Sequence, residues 1–217
     1  FYSDFALKQF RDHFTSVKAP KLLIRFQPVT FLDYFSSKTK PVPQTILSFG
    51  RLSVYKGIDL LVEAIPTVLA KYPNEKFVIA GKPVPGFTIN EAIVEKYKAN
   101  IEIVPRFIEM DELVKFIEKS KFVVCPYRDA TQSGVLMSAH AIGKMVLATD
   151  VGSFGEYIKD NVDGMLTEPD AVSLAKTIIA ALDNDNYRRM EQQITAGYSE
   201  KVGLSNREII TNAYKKA

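Results

Sequence analysis

Two short stretches hold the residue types that can do chemistry on an anion. In "FGRLSVYKG", Phe49 to Gly57, Gly50 permits a tight turn, and Arg51 and Lys56 put two cations into one loop. In "DATQSGVLMSAHAIGK", Asp129 to Lys144, a helix start is built from Thr131, Gln132, Ser133 and Gly134, and no acid follows Asp129. The free amides and positive dipole end of a helix start attract phosphate oxygens, and small hydroxyl and amide side chains add donors without blocking approach. Two side-chain cations beside such an entrance suit a diphosphate. Each loop alone has an ordinary alternative: solvated surface cations in the first, a plainly capped helix in the second. Neither a Walker loop nor a dinucleotide fingerprint occurs, so backbone alone does not cradle the phosphates.

Two further loops could complete a site. "AGKPVPG" offers Gly81 for close approach and Lys82 for charge, although a plain turn explains it equally well. "VPRFIEMDEL" offers Phe107 and Ile108 as an apolar shelf with free main-chain groups, on which a planar base could rest; a buried edge of core is the competing reading. Asp111 in the same stretch is expected to cap a helix. The two histidines, His13 and His140, sit in helical patterns and make a poor acid–base pair. No Cys/His/Asp cluster has metal-ligand spacing.

These loops need elements to position them. "TILSF", "KFVIA", "IEIV", "KFVVC" and "MVLAT" are short runs rich in Val, Ile and Phe, the pattern of strands buried on both faces of a parallel sheet. Their expected spans are residues 45–49, 76–80, 101–104, 121–125 and 145–149. Between them, Ile58, Leu61, Ile65, Val68 and Leu69 share one helical face, as do Leu113, Phe116 and Ile117. Pro66 cannot donate to the carbonyl of Val62 and should bend the first of these helices. Strand and helix in alternation predict an α/β domain, a Rossmann-like doubly wound parallel sheet. In such a sheet ligands sit beyond the carboxyl ends of the strands, where all four loops lie. The ends read differently. Ser3 is a candidate cap for a helix bearing Phe10 and Phe14, "FQPVTF" follows it, and the chain is polar and helical after Asp183, ending in "REIITNAYKKA".

Composition sets the outer bounds. A chain of 217 residues, 47% of them hydrophobic, can bury a sizeable core and suits one large domain or one and a half. The single cysteine, Cys125, rules out a disulfide framework and suits a reducing, cytoplasmic setting. The net charge of +3 is spread among interleaved acids, which argues against nucleic acid as partner. No apolar run is long enough to span a bilayer, and no secretory pattern opens the chain. The first residue is Phe1, without an initiator methionine, as expected of a piece of a longer protein.

"FGRLSVYKGIDLLVEAI", "FVIAG", "PYRDATQSGVLMSAHAIGKMVLATDVGSFGEYI" and "NVDGMLTEPD" together resemble the C-terminal, donor-binding lobe of group 1 (family 4) glycosyltransferases of the two-lobed GT-B fold. The resemblance covers about residues 45–183. It implies residues 1–42 as a remnant of the N-terminal lobe and linker, 43–190 as the nucleotide-sugar donor domain, and 191–217 as C-terminal helices. It further implies Gly50, Arg51, Lys56, Gln132, Ser133 and Gly134 on the donor diphosphate, with Phe107 and Ile108 at the base. Thr131 and Glu156 would stand behind them; the latter matches a recurrent family glutamate in "GSFGEYI". One departure is plain. Many members carry two glutamates eight positions apart, near the sugar and on the ribose; those places hold Ala130 and Ser138 here. A branch of the family with an "ATQSG" segment looks similar, so a variant donor site is expected, with Ser138 on a ribose hydroxyl and Asp129 a weak substitute for the first glutamate.

The activity so implied is retaining transfer of a sugar from a nucleotide-diphosphate sugar to a saccharide or lipid-linked acceptor in glycan biosynthesis. No cofactor and no metal are expected, and the setting is cytoplasmic or peripheral to the inner membrane face. The catalytic groups are left unassigned, and the fragment alone is expected to be inactive. The alternative is a non-catalytic nucleotide-sugar-binding module or pseudo-enzyme subunit. The missing glutamates favour it; the retained Arg51 and Lys56 favour the enzyme.

Overall fold

The computed structural model describes residues 3–17, 41–203, 211, 212 and 215; "FQPVTF" and most of "REIITNAYKKA" lie outside them. Helix α1 (Asp4–His13) opens the described chain, with Ser3 as its cap: the Ser3 hydroxyl accepts from the amide of Ala6 at 3.0 Å. From Thr45 the alternation expected from the sequence follows. The strands are β1 (Thr45–Phe49), β2 (Lys76–Ala80), β3 (Ile101–Val104), β4 (Ser120–Cys125), β5 (Val146–Thr149) and β6 (Gly164–Thr167). The helices are α2 (Ile58–Lys71), α3 (Glu91–Lys96), α4 (Met110–Lys119), α5 (Gly134–Ala141), α6 (Phe154–Tyr157), α7 (Ala171–Leu182) and α8 (Asn186–Gly203).

The six strands form one all-parallel sheet in the order β3-β2-β1-β4-β5-β6. Alternate residues of each strand serve two cores. Ile46, Phe77, Phe122, Val124 and Leu147 face α2, α7 and the start of α8, with Tyr187 and Met190 buried among them. Leu47, Val78, Val123, Cys125 and Val146 face the other way, onto α4, α5 and α6. Full burial of side chains of this size contributes about 1.5–3 kcal/mol each, so a sheet covered on both faces is well held. This is why the strands read as continuous apolar runs and not as alternating ones.

Two local expectations need correction. Glu109, not Asp111, stands at the cap of α4; Asp111 lies in its first turn, beside the helix's positive end, and pairs with Lys115 at 3.2 Å. Pro66 does not interrupt α2, although its missing amide donor would suggest that it should; the helix runs from Ile58 to Lys71 with Pro66 inside it. Among the described residues no helix is long and apolar enough to cross a membrane.

Candidate functional site

The chain leaves β1 for α2 toward one side of the sheet and later re-enters at β4 on the other flank of β1, so the crossover direction reverses between these strands. Such a reversal opens a crevice beyond their carboxyl ends. A cleft of about 870 Å³ lies there, and Gly50, Arg51, Lys56, Phe107, Ile108, Gly134 and Ser138 all line it. The strand order sorts them. The loops after β3 and β2 bring Phe107, Ile108, Pro83 and Val84 to one side, the β1 loop holds Arg51 and Lys56 in the middle, and the start of α5 stands on the far side. Phe107 is 67% exposed, with its ring open to a ligand. Among the described residues, no Asp or Glu lines this cleft.

The β1 loop forms a short 3-10 turn, Val54–Lys56, ended by Gly57 at φ 61°. A side chain at Gly57 would put its Cβ 1.8 Å from the Pro126 carbonyl oxygen, so only glycine lets the β1 loop pack against the end of β4. Lys56 is 8% exposed. Its Nζ donates to the Tyr127 hydroxyl and lies 3.8 Å from the Tyr127 ring centroid, a cation–π contact. Burial pushes the amine down to about 8; the Arg51 charge presses the same way, while the Cys125 thiol opposes it. Cys125 is itself buried, which pushes its thiol up to about 12. A second tie joins the same two loops. The Arg128 guanidinium donates to the Val54 carbonyl at 2.9 Å and to both Asp59 carboxylate oxygens at 2.7 and 2.5 Å. That pairing holds the Asp59 carboxyl below its ordinary value.

The "ATQSG" loop is fixed from behind. The Ala130 carbonyl accepts from the Ser153 amide at 2.8 Å, and any Cβ at Gly152 would fall 2.0 Å from that carbonyl oxygen. Ala130 is buried and Asp129 exposed, and neither lines the cleft. The Ser133 hydroxyl caps α5, accepting from the Leu136 amide at 3.3 Å and donating to Tyr127 at 3.5 Å. It is thus turned into the protein. Gln132 and Thr131 are exposed beside the cleft wall without lining it. A Cβ added at Gly134 would meet nothing within 4 Å, so no neighbour crowds the first residue of α5 where it lines the cleft. Ser138, one turn on, faces the cleft and is half-buried. Glu156 accepts from the amides of Asp4 and Phe5 at 2.9 and 2.8 Å, and Ser3 donates to the Thr131 carbonyl at 3.0 Å. Glu156 therefore ties α1 to the back of the loop. His140 is half-buried in α5 and is not among the residues lining the cleft.

Sequence reasoning missed Tyr127, which carries the Lys56 contact, along with Tyr55, Val135, Met110 and Leu113 of the cleft wall. The one local signal for Tyr127 was its place just past the end of "KFVVC".

The sequence profile of the glycosyl transferases group 1 matches residues 43–184. The chain is 28% identical over 156 residues to an uncharacterized glycosyltransferase of Methanocaldococcus jannaschii, covering 71% of this chain and 43% of that one. It is 23% identical over 180 residues to the GDP-mannose:cellobiosyl-diphosphopolyprenol alpha-mannosyltransferase of Xanthomonas campestris, covering 79% and 46%. It therefore spans less than half the length of these relatives. Among solved structures, the pneumococcal O-GlcNAc transferase GtfA in complex with UDP and GlcNAc superposes with a TM-score of 0.76 at 19% identity, over 99% of this chain and 43% of that one. The C-terminal domain of a group 1 glycosyl transferase from Francisella tularensis gives 0.64 at 20%, over 84% and 97%. With the profile spanning most of the chain and the fold that of such a C-terminal domain, this protein belongs to the group 1 glycosyltransferases.

Proposed function

We propose that the chain is the donor-binding half of a retaining glycosyltransferase that moves a hexosyl unit from a nucleoside diphosphate sugar to a saccharide or lipid-linked acceptor. One observation carries the reading: a cleft at the point of strand reversal joins two cations, the start of α5 and an apolar shelf. A base can lie on Phe107 and Ile108, ribose can reach Ser138, and the diphosphate can meet Arg51, Lys56 and the α5 amides. As the glycosidic bond breaks, negative charge collects on the departing diphosphate. Charges already fixed at that place stabilise the transition state more than the ground state. The same two cations support a metal-independent reaction. The relatives' names mention GDP-mannose and UDP, so the shared chemistry is a nucleoside diphosphate and not one base. Residues 1–42 are read as the tail of the acceptor lobe and 191–217 as C-terminal helices. Acceptor groups would come from the part of the relatives' length that this chain does not span, in a cytoplasmic protein peripheral to the inner membrane face.

The absence of any carboxylate among the described residues of the cleft lining favours a second reading, a nucleotide-sugar-binding subunit without transfer activity. An assay of a full-length protein containing this chain separates the two. Nucleotide release from UDP- or GDP-sugars that rises with added acceptor supports the enzyme. Saturable donor binding with neither hydrolysis nor transfer supports the binding subunit and overturns the enzyme.

A further inference from the structure

We infer that Tyr127 is a positioning residue for this site, holding the Lys56 ammonium in the cleft so that it meets the diphosphate. The inference rests on the diphosphate-binding reading and adds a residue to it. Lys56 lies in a loop with no acid from Phe49 to Ile58, and no described Asp or Glu lines the cleft around it. A buried ammonium without a carboxylate needs another source of electron density. Tyr127 supplies it twice, through the hydroxyl that accepts from Nζ and the ring face at 3.8 Å.

The phenol is itself held firmly. Its ring packs edge-on against Tyr55 at 6.1 Å and Phe154 at 5.2 Å between centroids. Its backbone carbonyl accepts from the Thr149 hydroxyl at 2.5 Å, and its hydroxyl accepts from Ser133, the cap of α5. One side chain thus links the cation of the β1 loop to the start of α5. The groups facing the amine are Arg51 from its own loop, Tyr55 beside it, and Cys125 and Tyr127 from the end of β4. None is a carboxylate.

The test is Tyr127→Phe, which keeps the packed ring and removes only the hydroxyl, measured alone and in a Lys56→Met background. UDP, GDP and ADP are titrated by calorimetry, with the matching nucleosides as controls. Tyr127→Phe is expected to weaken diphosphate binding by roughly three- to tenfold, the effect of one hydrogen bond to a charged group acting at second hand. Nucleoside binding should stay level. In the Lys56→Met background the same change should do nothing more, because the residue acts through the amine. An equal loss in both backgrounds, or none in either, overturns the inference. The ligand-free titration of the Lys56 amine, followed by NMR after reductive methylation, gives a readout without nucleotide: Tyr127→Phe should lower its midpoint, since the hydroxyl favours the charged form. If the parent binds no diphosphate but that midpoint moves, the functional reading fails and the positioning role stands. An unmoved midpoint overturns the positioning role whatever binds.

Discussion

Lys56 makes two opposite demands on pH. Its amine titrates at about 8 in the folded chain against an ordinary 10.5, because it is buried. Between these values the unfolded chain binds more protons than the folded one, so the stability of the ligand-free chain should rise with pH across that window; below it the cost of burying the charge is borne in full. If the proposed diphosphate contact is made by the ammonium, affinity should be level below about pH 8 and then fall by up to about tenfold per pH unit. Thermal midpoints and calorimetric affinities measured from pH 7 to 9.5 check both trends. Lys56→Met should abolish both; persistence of either in that variant would assign it to another group. Arg51 and Lys56 were legible in the sequence because two cations crowd a strand-to-helix loop. Tyr127 was not, because its contact with Lys56 spans 71 positions and exists only once β1 and β4 are neighbours. Ser133 was legible as a helix-start residue, but not that its hydroxyl points inward, to the Leu136 amide and the Tyr127 hydroxyl.

The five strands with strong apolar runs were legible, each to within a residue of its end. β6 was not: "GMLT" opens on glycine and is too short to show a period of its own, and it is made a strand by pairing with β5 from Val146↔Gly164 to Thr149↔Thr167. Capping reads least well, since Glu109 and Asp111 are both acids in reach of the same helix start. Helix α1 shows how a segment of weak pattern is held in place. Ser3 caps it, and Glu156 accepts from its first-turn amides across 151 and 152 positions. Glu156→Ala should remove those acceptors at a local cost of about 1–2 kcal/mol, the range of a lost cap. Limited trypsinolysis should then cut at Lys8 and Arg11 faster, while the thermal transition of the sheet barely moves. Unchanged protection of α1 would show that Glu156 does not hold it.

Across the molecule, the order β3-β2-β1-β4-β5-β6 makes four distant loops into one cleft. The apolar runs alone implied a parallel sheet, and the order came with the Rossmann-like expectation; it is set by crossover packing of helices such as α2 and α7, which lie far apart in the chain. The chain covers less than half of its curated relatives, so the cleft is one wall of the reaction chamber we propose. That wall can be tested as it stands. Gly134→Val is a clean steric probe, because open space surrounds the position and the fold has no reason to change. The most direct measurement is calorimetric titration of UDP and GDP into this chain in the presence of EDTA, beside Arg51→Ala, Lys56→Ala, Gly134→Val and Ser138→Ala. Diphosphate binding should survive the chelator and weaken by about 1.5–3 kcal/mol in each cation variant, the range of a charge-assisted hydrogen bond. It should also weaken in Gly134→Val and change less in Ser138→Ala, with nucleoside binding level in the cation variants. Binding that appears only with a divalent ion would contradict the metal-independent part, and cation variants that bind diphosphate as tightly as the parent would contradict the site itself.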